Sequence, residues 1–155
     1  MEIEAVAKKL MGDFPLYAKN VLRIVDKRGE EKRFKLNYGQ MILHDKLEKQ
    51  LAETGRIRAL VIKGRQMGIS TYVEGRFFWK TTKTKNANAF VLSHLAESTT
   101  AIFRMVRYFY DNAAHPIFKP PLATSTTTTM VFEKLNSQYR IGTRSEEHTS
   151  ELQSQ

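Results

Sequence analysis

Nine consecutive residues, Lys63-Gly64-Arg65-Gln66-Met67-Gly68-Ile69-Ser70-Thr71, combine two cations, two glycines and two hydroxyls. That set suits phosphate chemistry. In a phosphate-binding loop, GxxxxGK(S/T), backbone N–H groups at a helix N-terminus cradle the phosphates, a lysine reaches the outer ones and a hydroxyl takes magnesium. Gly68 and Ser70 fit that pattern, but Ile69 occupies the lysine place. The cation stands instead at Lys63, five residues before Gly68, where the common motif has its first glycine. On this reading the run from Lys63 to Thr71 holds a nucleotide such as ATP with Mg2+. Gly68 permits close backbone approach, Ser70 supplies the magnesium hydroxyl, and Lys63 reaches the outer phosphates. Arg65 either stabilises charge that develops during transfer or forms a surface salt bridge. Gln66 and Met67 shape the loop, and Thr71 replaces Ser70 if the register slips by one.

Other side chains are weighed against this loop. Gln40, in Phe34-Lys35-Leu36-Asn37-Tyr38-Gly39-Gln40, offers a donor and an acceptor together, as the edge of adenine requires, or else is a helix N-terminal side chain facing water. Ser93 and His94 end a strand on the edge where parallel sheets place ligands; a structural or DNA-facing role suits His94, which has no paired acid in sequence. His44 and His115 are expected to be structural, and Tyr72, Phe78 and Trp79 to be core or interface packing. Arg104, Arg107, Lys119 and the Lys80, Lys83, Lys85 group either follow a phosphate backbone or are solvated faces.

The elements that must position these groups are legible in the apolar spacing. Ile3, Val6, Ala7 and Leu10 line one face of a helix over Glu2–Met11. Val21–Asp26 and Lys32–Leu36 read as a hairpin around Lys27-Arg28-Gly29-Glu30. Tyr38–Glu53 reads as a helix stopped at Gly55. Ala59–Ile62 reads as a fully buried strand, followed by a helix from Ser70 to about Thr82 with Val73 and Phe77 on one face. Asn88–Ser93 is expected to be a second buried strand and Ala96–Asn112 a second long helix, with Ile102, Val106 and Phe109 inward. Met130–Phe132 and Gln138–Ile141 suggest another hairpin, and Thr124–Thr129 is an edge strand or a loop. Strand, loop, helix, strand, helix predicts an α/β architecture on a parallel sheet.

Composition narrows the class. The 155 residues suit one domain. No apolar run approaches the roughly 18 residues that a membrane span needs, so a soluble protein is expected, and Met1–Leu10 lacks the pattern of a secretion signal. The absence of cysteine removes disulfides and thiolate metal sites. A net charge of +9 favours a polyanionic partner or a solvated basic surface. Residues 144–155 hold one basic and three acidic residues, so residues 1–143 carry +11.

Taken in order, Phe34-Lys35-Leu36-Asn37 with Gln40, the loop from Lys63 to Thr71, and Phe90-Val91-Leu92-Ser93-His94 resemble the large terminase subunit of tailed bacteriophages. The resemblance extends through Ala101-Ile102-Phe103 and His115-Pro116 to about Thr143. It implies a P-loop NTPase sheet of the additional-strand, RecA-like type, with Lys63 at the loop's start and Arg65 as a finger in cis. The implied activity is an ATP-driven motor that moves double-stranded DNA into a capsid. A homo-oligomeric ring, the small terminase subunit and the portal of the procapsid are the implied partners, in the cytoplasm of an infected bacterium. Departures accompany the match. The apolar strand ending in Asp-Glu that the family's chemistry needs is not found, and Glu146-Glu147, with no apolar run before it, is a poor substitute. The family's coupling motif and nuclease domain are likewise not found. Arg144–Ser154 resembles the in-frame translation of a sequencing adapter, so residues 144–155 are expected to be a disordered, artefactual tail on a truncated and inactive ATPase fragment. A helicase-like ATPase and a non-catalytic basic module that binds nucleic acid are the competing readings.

Overall fold

The computed structural model describes residues 2–62 and 68–143; Lys63 to Met67 and the tail from Arg144 lie outside the described residues. Helix α1 (Glu2–Met11) runs into α2 (Phe14–Val21), an element that the apolar spacing did not announce. Its cause is local: Asp13 caps the helix by accepting from the Leu16 N–H at 3.3 Å, and Pro15 sits in the first turn. Because Val21 closes α2, the hairpin starts later than expected, with β1 (Arg23–Val25) antiparallel to β2 (Glu31–Arg33). Asp26 organises its turn, the carboxylate accepting from the N–H groups of Arg28 and Glu30 at 2.8 and 3.0 Å.

Helix α3 (Tyr38–Thr54) begins in a capping box between Asn37 and Gln40 and ends on Gly55 in the left-handed conformation, φ 76°. The chain then passes Gln50, whose amide donates to the Arg58 carbonyl and accepts from the Arg58 N–H, both at 2.9 Å. Beyond it the expected buried strand does not form. Ala59–Ile62 pairs with no described strand, and Leu60 and Ile62 are 91% and 92% exposed. Four apolar residues in a row do not make a strand without neighbours to take up their backbone N–H and C=O groups.

Helix α4 (Ile69–Lys83), β3 (Asn88–Ser93) and α5 (Ala96–Asp111) follow, then β4 (Thr124–Ser125), β5 (Thr129–Phe132) and β6 (Ser137–Thr143). The sheet order is β3-β6-β5-β4. The architecture is α/β, but the sheet is mixed: β3 and β6 are parallel, whereas β5 and β4 join antiparallel as the expected second hairpin and its threonine edge. Nor is β3 buried on both faces. Ala89 and Val91 pack toward the core while Phe90 and Leu92 are exposed, because α4 and α5 cover one face. Across that outer face Arg140 lies over the Phe90 ring, 5.4 Å from its centroid.

The core forms where α2, α4, α5 and the sheet meet, around Phe14, Tyr17, Tyr72, Phe78, Phe109 and Tyr139. Phe34 brings the hairpin's root into it, stacking on Phe109 with centroids 6.4 Å apart. Tyr72, Phe78 and Trp79 are core, as expected. Among the described residues no helix is long and apolar enough to cross a membrane.

Candidate functional site

Gly68 has φ 71° and ψ 17°, a conformation that side chains with a Cβ rarely adopt, and it caps the N-terminus of α4. A Cβ built there would lie 2.7 Å from Gln40 Nε2. Both constraints demand glycine. The contact exists because Gln40 Nε2 donates to the Gly68 carbonyl at 2.7 Å, and the same carbonyl accepts the first helical bond, from the Tyr72 N–H at 3.1 Å. Gln40 Oε1 in turn accepts from the Asn37 N–H at 2.8 Å. One buried amide, 4% exposed, therefore fastens the start of α3 to the start of α4. The sequence carried the sign of this in Asn37 and Gln40, three apart, which is the capping-box spacing.

The first turn of α4 divides its hydroxyls. Thr71 joins Gln40, Asn37 and Gly68 in an open cavity of about 740 Å³ that residues of the β1–β2 hairpin also line. Ser70 faces a second cavity, of about 480 Å³, together with Glu74, Ser93, His94 and Ser98. That second cavity lies at the carboxyl end of β3, where parallel strands present ligands. Glu74, one helical turn after Ser70 and 3% exposed, was not singled out from the sequence, although the four-residue spacing places both on one helix face. Ile69 is buried. Lys63, Gly64, Arg65, Gln66 and Met67 lie outside the described residues.

A partly buried network joins α4 to α3. Arg76 Nη2 pairs with Glu48 at 2.7 Å, and its Nη1 lies 3.2 Å from the Tyr72 hydroxyl and 3.3 Å from His44 Nδ1. His44 Nδ1 and the Tyr72 hydroxyl are 2.9 Å apart. Burial, reinforced by the Arg76 charge, holds the His44 pKa below its ordinary value, and burial raises that of Tyr72. His44 is structural, as expected, and His115 caps the turn at Pro116–Phe118 through the Ile117 N–H.

Several of the cations expected either to follow a phosphate backbone or to lie on solvated faces have internal partners. Lys83 lies 3.3 Å from the Trp79 ring centroid and donates to the Met11 carbonyl, and its burial lowers its pKa to about 8. Arg107 bonds Asp111 and Ser125, and both Arg107 and Lys119 lie over Tyr110.

For a phosphate ligand the first turn of α4 offers N–H groups that no side chain caps, a glycine at the point of closest approach and hydroxyls on either side. For magnesium it offers an oxygen donor, Ser70, of the kind that the ion prefers. Among the described residues no group of three His, Asp or Glu side chains is arranged to hold a metal. The chain matches no family model and no curated protein sequence.

Proposed function

We propose that residues 1–143 are the N-terminal part of a DNA-packaging ATPase of the terminase large-subunit type, built on a P-loop sheet, acting in the cytoplasm of an infected bacterium. The observation that carries the reading is the left-handed Gly68 at the head of α4, locked by Gln40 beside the carboxyl end of the parallel β3–β6 pair. Lys63, Arg65 and the N–H groups of residues 68–71 would hold the ATP phosphates, and Ser70 would hold Mg2+. Bound there, the ion neutralises phosphate charge. Gln40 has one Nε2 hydrogen and one Oε1 lone pair beyond its bonds to Gly68 and Asn37, the pair of valences that an adenine edge takes.

The exposed Ala59–Ile62, which pairs with no described strand, supports the further reading that this chain does not hydrolyse ATP by itself. A strand with neighbours on both sides would aim the loop at Lys63; here nothing described does so. Double-stranded DNA, a ring of like subunits, the small terminase subunit and the portal are the proposed partners of the whole motor.

The test is the thermal transition of the 155-residue chain with ATP and Mg2+. Millimolar nucleotide is expected to raise it by a degree or two, and Lys63→Ala to abolish the rise. Salt-sensitive DNA binding that neither ATP nor Lys63→Ala alters would replace this reading with a basic nucleic-acid-binding module. Turnover at motor rates that Lys63→Ala removes would end the inactive-fragment reading.

A further inference from the structure

The β1–β2 hairpin carries charge that its own fold does not use. Arg23 and Arg33 are directly opposed across the three-residue ladder, a like-charge pair that weakens a hairpin already marginal by its length. Lys27, Arg28, Lys32, Arg33 and Lys35 all line the cavity of about 740 Å³ on the Gln40 side of α4. Among the described residues Asp26 is the one acid lining it, and its carboxylate is committed to the N–H groups of Glu30 and Arg28 and to Lys32 at 3.3 Å. Those bonds, led by the Glu30 N–H, hold its pKa below the ordinary value, so it stays anionic and engaged. Among the described residues, the side chains of Arg28, Arg33 and Lys35 enter no ion pair.

The remaining walls indicate what balances these cations. Ile24, Val25 and Phe34 give an apolar flank, while Asn37, Gln40, Gly68 and Thr71 give polar groups and the head of α4. An apolar flank, a few convergent polar groups and a cationic rim describe a small ligand with a flat body and several negative charges. A DNA duplex, whose major groove alone is about 12 Å wide, does not enter a cavity of this size. The hairpin is also anchored: Phe34 is in the core, and the Tyr108 hydroxyl bonds Glu31, tying β2 to α5.

We infer that Arg28, Arg33 and Lys35 form a cationic arm that binds a nucleoside triphosphate seated at the head of α4, contacting its phosphates from the hairpin side of the cavity. This inference rests on the nucleotide reading above and adds a second set of binding residues to it.

The experiment is titration of the 155-residue chain with a fluorescent ATP analogue and Mg2+ at two salt concentrations. The variants are R28A/R33A/K35A and Lys63→Ala, each checked for an unchanged circular dichroism spectrum. The expected result is a loss of about tenfold or more in affinity for the arm variant, with a weaker salt dependence than the parent. If Lys63→Ala weakens binding and the arm variant does not, the arm is overturned and the loop reading stands. If the arm variant weakens binding and Lys63→Ala does not, the arm stands and the loop reading falls. No binding to the parent chain overturns both. A duplex DNA titration on the same variants completes the test: loss of DNA affinity with nucleotide affinity intact would overturn the arm's assignment to a nucleotide.

Discussion

Gln40 and Gly68 are joined by a 2.7 Å hydrogen bond that links the start of α3 to the start of α4 across 28 residues of sequence. Truncation to Ala removes that bond and half of a capping box. Gln40→Ala is expected to cost about 2 kcal/mol, read as a lower urea midpoint with an unchanged slope. Gln40→Glu should cost more, because it can set a carboxylate oxygen against the Gly68 carbonyl.

Gly68→Ala is strained twice, by its φ and by the 2.7 Å approach to Gln40 Nε2. The expected loss is about 1–3 kcal/mol. In a double-mutant cycle Gln40→Ala relieves the contact but not the dihedral strain, so the two losses should be less than additive by roughly 1 kcal/mol. Strict additivity would mean that the side chains do not meet.

His44 makes stability depend on acid. Its folded pKa lies below the ordinary value of 6.5, so the unfolded chain takes up the proton first as pH falls. Stability held above about pH 6.5 is then lost from there down toward the folded pKa. The melting temperature is expected to fall between pH 7 and 5, and His44→Gln to flatten that fall. Arg76, Glu48, Asp45 and Asp13 set the local field, so a charge change at any of them should move the midpoint.

Lys83 acts in the opposite range with the same sign. The folded chain releases its proton near pH 8 and the unfolded chain near 10.5, so this group's contribution to stability rises with pH between those values. Melts between pH 7.5 and 9.5 should show that rise in the parent and lose it in Lys83→Met.

Leu60 and Ile62 should be replaceable without loss. Leu60→Lys with Ile62→Lys is expected to change stability by less than about 0.5 kcal/mol while reducing self-association, measured by sedimentation, since exposed apolar segments seek partners. A large loss of stability would mean that this segment is packed in solution.

The elements most legible in the sequence were those whose signals are local. The spacing in α1 and α5, the stop at Gly55 and the turn between β5 and β6 depend on neighbours within a few residues, and each is where the pattern puts it. Helix α2 was missed because its start is set by Asp13 and Pro15, not by an apolar period. The failure at Ala59–Ile62 has a different cause. A buried strand is specified by what lies beside it, which four apolar residues cannot encode. At the candidate site, the glycine and Gln40 were legible as types, but their mutual contact was not. The hairpin's cations were read as turn and strand residues but not as a cluster, because their convergence depends on the packing of Phe34.

Ser70 and Thr71 are adjacent on α4, about 100° apart around its axis, yet they open into separate cavities. The helix is thus a partition with one hydroxyl on each side. Any turn of α4 about its own axis carries both hydroxyls in the same rotational sense, so a swing that brings one further into its cavity withdraws the other. The network of His44, Tyr72, Arg76 and Glu48 resists that turn. Gln40 grips the helix where the partition begins, so the one bond to Gly68 fixes the position of both hydroxyls.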